Sequence, residues 1–175
     1  MKIKLYNSVL KGTVSLPSSK SYTHRALICS SLCQGTSIIN EPLFCDDTLS
    51  TIKLLRNLGV NITYTFNQII VKSSGRWQIK GRLDCEDSAT TLRMIIPVLS
   101  FFSDAFTIEC SERLCERIKT EEIKDLAGLQ ITVAKDRVFV KGKVKNKISI
   151  THRLTSQWSS GALLLLPLSK GSLKT

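Results

Sequence analysis

Ser18-Ser19-Lys20-Ser21-Tyr22-Thr23-His24-Arg25 places three serine hydroxyls, an ammonium and a guanidinium close together. A serine cluster followed by the apolar run Ala26 to Leu32 is how a helix begins. The first turn of a helix leaves amide N–H groups without intrahelical partners, and the positive end of the helix dipole sits there. Both attract an oxyanion. Lys20 adds a point charge, and Arg25, one turn on, can grip an oxyanion with two parallel hydrogen bonds. The chemistry on offer is recognition of a small phosphorylated or carboxylated ligand. The same letters also suit ordinary N-capping ahead of a solvated helix face, with His24 as a surface imidazole.

Two later stretches have the same form. Asp84-Cys-Glu-Asp-Ser-Ala-Thr-Thr-Leu-Arg93 opens an apolar segment, Leu92 to Leu99, but it is acidic where the first is basic. It fits a capping loop, with Arg93 as a structural anchor. Arg117, closing Arg113-Leu-Cys-Glu-Arg117, can supply the counter-charge for an anion near Ser88. A third apolar segment follows Thr155-Ser156-Gln157, whose neutral donors suit hydroxyls or phosphate oxygens, or plain capping.

The elements that must hold these groups emerge from an internal repeat. At a constant offset of 69 residues Gly59 meets Gly128, Ile62 meets Ile131, Thr63 meets Thr132, Asn67 meets Asp136, Val71 meets Val140 and Lys72 meets Lys141. Each copy has a helix stop at Gly, a strand, a turn at Asn or Asp, and a second strand. A helix precedes each: Asp46-Asp47-Thr48 starts the first, with Leu54, Leu55 and Leu58 as its stripe, and Ile123 and Ala127 match in the second. The offset also aligns Ser19 with Ser88 and Ser21 with Thr90. The unit is therefore strand, helix, strand, helix, strand, strand, an α/β (α+β) pattern that needs neighbours to bury its faces. Units span about 13–75 and 80–145, and a third begins at about 148–175 and looks unfinished. The three helix starts are expected to converge on one face.

Composition narrows the alternatives. The 25 Lys and Arg against 14 Asp and Glu leave a formal net charge of +11, which permits nucleic acid, an anionic membrane surface or small anionic substrates. Aromatics make up only 6% and do not interleave with the basic residues, which disfavours a base-stacking surface. Lys141, Lys143, Lys145 and Lys147 alternate as on a solvated strand edge. The apolar runs Ile95 to Phe102 and Ala162 to Leu168 are too short to span a bilayer and no export signal opens the chain, so the cytoplasm is expected. The six cysteines lack any C-x-x-C pair, and only His24 and His152 can add imidazole ligands, so reduced and mostly buried thiols are expected rather than a metal site.

The segment L-P-S-S-K-S-Y-T-H-R-A-L, Leu16 to Leu27, is very similar to the opening L-P-x-S-K-S-x-x-x-R-A-L of the 5-enolpyruvylshikimate-3-phosphate synthase (3-phosphoshikimate 1-carboxyvinyltransferase) family. Asp46-Asp47, D-C-E-D-S-A-T-T-L-R, R-L-C-E-R and T-S-Q-W-S-S-G-A-L-L-L-L-P-L follow in that family's order and cover the chain. The sister family, UDP-N-acetylglucosamine enolpyruvyl transferase, has Lys-Asn where Lys20-Ser21 stand. The resemblance implies two similar domains of three repeats each. Residues 1–12 would be a leading strand belonging to the second domain, 13–175 an incomplete first domain, with the second domain missing. It implies a cofactor-free and metal-free transferase of the shikimate pathway, serving chorismate and aromatic amino acid biosynthesis. That enzyme moves the carboxyvinyl group of phosphoenolpyruvate to the 5-hydroxyl of 3-phosphoshikimate and releases phosphate.

By resemblance, Lys20, Ser21, Arg25, Thr155, Ser156 and Gln157 hold 3-phosphoshikimate. Asp87, Ala89 and Arg117 match phosphoenolpyruvate-binding positions, and Lys20 also faces phosphoenolpyruvate as a possible catalytic group. The family's Asn-x-Gly-Thr is Asp87-Ser88-Ala89-Thr90 here, Ile118 replaces a Pro, His24 a common Asn, and His152-Arg153 stand for Gly and a small or acidic residue. The proton-handling carboxylate and lysine belong to the missing domain, so this chain alone is expected to bind without turnover. The alternatives are a non-catalytic small-anion-binding or interaction module and a basic nucleic-acid-binding domain. The latter would show salt-sensitive DNA binding indifferent to 3-phosphoshikimate.

Overall fold

In the computed structural model the described residues are 3, 4, 6, 7, 9, 11–118, 128–144, 147–149, 155–169 and 172–174, the last strand and 147–149 by backbone only. The first unit runs α1 (Lys20–Leu32), β1 (Gln34–Asn40), α2 (Asp46–Asn57), β2 (Asn61–Tyr64) and β3 (Gln68–Ser74). The second runs α3 (Ala89–Phe102), β4 (Ala105–Glu109), α4 (Glu112–Arg117), β5 (Gln130–Val133) and β6 (Arg137–Lys141). Then come β7 (Lys147–Ser149), α5 (Ser156–Ser169) and β8 (Ser172–Lys174).

The repeat inferred from the letters is physical. The antiparallel sheets have the orders β1-β3-β2 and β4-β6-β5. Their registers correspond pair for pair when 69 is added: Asn40↔Gln68 becomes Glu109↔Arg137, and Ile62↔Val71 becomes Ile131↔Val140. Gly59 (φ 87°) and Gly128 (φ 97°) lie at equivalent points ahead of β2 and β5, in backbone that a side chain would strain. Alternation does the rest: Ile69 and Val71 in β3, and Val138 and Val140 in β6, turn to the core while their neighbours face out.

The leading strand of the repeat is where letters and structure part. In the second unit it shrinks to one parallel bridge, Asp84↔Glu109, and residues 11–19 form no strand. Val14 and Leu16 are exposed there, so no sheet edge among the described residues supplies the hydrogen bonds that would define a strand. In the third unit β7 pairs in parallel with β8 across α5, a strand–helix–strand crossover. The expected helix around Ile123 and Ala127 lies outside the described residues, as do His152 and Arg153.

The helices pack around α3, every residue of which from Thr90 to Ser100 is buried. A helix buried on every side needs cover on every side. Leu27 and Ile28 of α1 and Ile52, Leu54 and Leu55 of α2 join one continuous core with Trp158, Ala162 and Leu165 of α5. At Gly161 the α3–α5 contact has no room: a Cβ there would lie 2.9 Å from the carbonyl oxygens of both Arg93 and Met94. Pro97, inside α3, brings no N–H to the Arg93 carbonyl, and Gly161 approaches at that turn. Of the six free cysteines, Cys85, Cys110 and Cys115 are buried and Cys45 half-buried, but Cys29 and Cys33 are exposed at the end of α1, a departure from the mostly buried set expected.

Gly161→Ala tests the contact. Alanine gains about 1 kcal/mol of helix propensity, whereas overpacking rigid backbone costs roughly 1–3 kcal/mol or more. A net loss of about 1–2 kcal/mol is expected, read as a lower urea midpoint; a higher midpoint would mean the two helices are not in close contact.

Candidate functional site

Ser19 caps α1, its Oγ accepting from the Tyr22 amide at 3.4 Å, and Ser88 caps α3 in the same way, accepting from the Thr91 amide at 3.2 Å. The two caps are the aligned serines of the repeat. At the start of α5 the Trp158 amide donates to the Thr155 carbonyl at 3.1 Å, and the Thr155 hydroxyl is buried with no partner among the described residues.

Side chains from the first two turns tie these starts together. Arg25 donates through Nη1 to the Ser21 carbonyl (3.0 Å) and through Nη2 to Ser160 Oγ (2.8 Å), linking α1 to α5. Gln157 donates through Nε2 to Thr90 Oγ1 (2.9 Å) and accepts from Arg93 Nη1 at 3.0 Å, linking α5 to α3. Lys20 donates to Asp47 Oδ2 at 2.5 Å, linking α1 to the start of α2. That hydrogen bond raises the Lys20 pKa, so its ammonium is fixed as a cation. The expected convergence of helix starts is therefore present, with Lys20, Ser21, Arg25, Ser156 and Gln157 at one end of the helix layer. Arg93, read as an anchor, is buried and does anchor Gln157.

The acidic side is arranged differently. Between the starts of α2 and α3 lies a cavity of about 310 Å³ lined by Asp46, Asp47, Ser50, Glu86, Asp87 and Ser88. Asp87 accepts from Ser111 Oγ at 2.6 Å and pairs with Arg113, so it fastens this loop to the start of α4. Glu86, with φ 53°, pairs with Lys53 at 2.8 Å. Ala89 is the first residue of α3. Arg117 closes the short helix α4, exposed and without an ion pair among the described residues, and it does not line the cavity.

His24 corrects the reading of a surface imidazole: it is 0% exposed, pressed between α1 and α2 with Nδ1 2.8 Å from Thr51 Oγ1. Thr51 Oγ1 lies 2.7 Å from Thr91 Oγ1, and the Thr91 hydroxyl donates to Ser88 Oγ at 2.7 Å. Neither His24 nor the two threonines stood out in the letters. The one signal was position: His24 shares its helix face with Leu27 and Ile28, which are core.

Comparison with known proteins places this geometry. The sequence model of EPSP synthase (3-phosphoshikimate 1-carboxyvinyltransferase) matches residues 6–175. A 3-phosphoshikimate 1-carboxyvinyltransferase of Nitrosopumilus maritimus is 30% identical over 97% of this chain and 42% of its own length. One from Dehalococcoides mccartyi is 32% identical over 95% of this chain and 41% of its own. The chain thus spans about two fifths of the relatives it matches. Among solved structures, an EPSP synthase from Acinetobacter baumannii shares the fold with a TM-score of 0.74 at 23% identity, over 88% of this chain and 37% of that one.

Burial pushes the His24 pKa down from 6.5 to about 4, since a charged ring there would be desolvated. The unfolded chain therefore binds the proton first. His24's contribution to stability is complete above about pH 6.5 and is lost as the pH falls toward about 4. From about pH 7.5 to about pH 4.5 the wild type should lose roughly 2–3 kcal/mol more than His24→Asn in urea titrations. Parallel pH profiles for the two proteins would contradict a buried neutral imidazole.

Proposed function

The chain belongs to the EPSP synthase family, and we propose that it is the 3-phosphoshikimate-binding portion of a carboxyvinyl transferase. The observation that carries this reading is the cross-linked set of helix starts, with Arg25, Gln157 and Lys20 held by partners from other helices. A ligand with a phosphate and a carboxylate needs donors at two places. The starts of α1 and α5 offer Lys20, Ser21 and Arg25 on one side, and Thr155, Ser156 and Gln157 on the other. The Thr155 hydroxyl, buried and unpartnered among the described residues, suits an incoming oxygen acceptor.

Phosphoenolpyruvate would lie toward the starts of α2 and α3, in reach of Lys20, Ala89 and the cavity beside Asp87, with Arg117 as a further cation. In the reaction the 5-hydroxyl gives up its proton as its oxygen bonds to C2 of phosphoenolpyruvate, and a proton is added at C3. Loss of a proton from C3 and of phosphate from C2 then restores the double bond in the carboxyvinyl ether. Lys20, tied to Asp47, is placed to counter charge on phosphoenolpyruvate. The groups that carry protons on and off are not found here, and turnover is assigned to the enzyme's remaining portion as partner. The shikimate pathway, its chorismate and aromatic amino acid products, and a cytoplasmic setting follow from this assignment. Among the described residues no helix is long and apolar enough to cross a membrane. A binding module without catalysis has no observation of its own in its favour.

Calorimetry with 3-phosphoshikimate on the wild type and on Arg25→Ala tests the site. Losing a charge-assisted hydrogen bond costs about 1.5–3 kcal/mol, so affinity should fall roughly ten- to hundredfold. Equal affinity in both would remove Arg25 from the site.

A further inference from the structure

We propose that His24 is a positioning residue for the second substrate. Through Thr51 and Thr91 it sets the direction of the Ser88 hydroxyl, which donates to a carboxylate or phosphate oxygen held between the starts of α2 and α3. The proposal rests on the functional reading above and adds to it a hydrogen-bond relay of buried side chains running from α1 across α2 to the cap of α3.

The order of the protons follows from counting. Ser88 Oγ accepts twice, from the Thr91 amide at 3.2 Å and from the Thr91 hydroxyl at 2.7 Å. Both its acceptor sites are filled, which leaves its own proton for a third partner. Thr91, having given its proton to Ser88, must accept at its 2.7 Å contact with Thr51. Thr51 in turn accepts from His24 Nδ1 at 2.8 Å. The Asp47 carbonyl competes for both threonine protons, but from 3.3 Å in each case. Nδ1 therefore carries the imidazole proton, and Nε2 is left as a buried lone pair with no partner among the described residues. Reversing the order would turn the Ser88 proton inward.

The cavity that Ser88 lines shows a second mark of a ligand: Ser50, 1% exposed, lines it too, and its hydroxyl has no hydrogen-bond partner among the described residues. Two serines thus line the same space. Four carboxylates also line it, but three carry a cation of their own: Asp47 with Lys20, Glu86 with Lys53 and Asp87 with Arg113. Asp46 remains, set in the first turn of α2. The starts of α2 and α3 each contribute roughly half a positive charge, which brings the cavity close to neutral. Directed donors then decide what binds, and an acceptor-rich carboxylate or phosphate is the class that the outward Ser88 proton selects.

The test uses the whole chain saturated with 3-phosphoshikimate and titrated with phosphoenolpyruvate by calorimetry. Thr91→Val, which keeps the shape and breaks the relay, should weaken phosphoenolpyruvate about fivefold or more and leave 3-phosphoshikimate affinity unchanged, while Thr91→Ser restores binding. Should Thr91→Val fail to fold, Ser88→Ala takes its place with the same expectation. Nitrogen NMR of His24 should show the Nδ1–H tautomer, with a phosphoenolpyruvate-dependent shift that Thr91→Val abolishes. An Nε2–H tautomer, or undiminished phosphoenolpyruvate affinity in the variant, overturns the proposal. Binding of 3-phosphoshikimate without phosphoenolpyruvate overturns it alone; failure to bind 3-phosphoshikimate overturns the functional reading and the proposal together.

Discussion

A helix with no exposed face is a demand on everything near it, and α3 makes that demand of this chain. Burying it from Thr90 to Ser100 requires α1 and α2 on one side and α5 on another. The contact at Gly161 fixes how close α5 comes, and the bonds from Gln157 to Thr90 and Arg93 fix its direction. Since residues early in α5 meet residues early in α3, the two helices run the same way and begin together. Grouped helix starts, with their unpaired amides and aligned dipoles, are thus a by-product of covering one buried helix.

The ion pairs around the site act on geometry more than on stability. Lys20–Asp47, Lys53–Glu86 and Arg113–Asp87 all have solvent-exposed members. Pairs of this kind are worth about 0–1 kcal/mol each. Their effect is to keep Asp47, Glu86 and Asp87 from acting as free negative charges beside helix starts that favour anions. A protein with a net charge of +11 can commit cations in this way and still attract acidic ligands over a distance.

Much of this was legible in the letters because it rests on local rules. The offset of 69 rests on turn residues and strand alternation, which act over a few positions, and the strand registers follow it pair for pair. Ser19 and Ser88 were readable as caps for the same reason. His24 was not, since its burial depends on which side of α1 docks against α2, a fact of tertiary packing. Asp87 was readable as acidic but not as a clamp, because Ser111 and Arg113 come from an element 24 residues or more further on. The leading strand of the first unit failed because a strand is defined by a partner edge, which a single-sequence pattern cannot guarantee.

The matched registers of the two sheets carry a consequence for how the chain folds. The hairpin β5–β6 presents almost the same edge to β1 as β2–β3 does: Val138 would meet Ile39 where Ile69 does now, and Val140 would meet Ser37 where Val71 does. These core-facing side chains differ by a methylene at most, while on the outer face Phe139 would stand for Ile70 and Arg137 for Gln68, so core packing alone hardly separates the native assembly from the exchanged one. Connectivity separates them. A strand that waits for its own hairpin closes a shorter loop than one that waits for its neighbour's, and that entropic difference acts before any packing energy is gained. During synthesis the first hairpin also emerges before its competitor exists, so vectorial production of the chain gives each sheet its own strands.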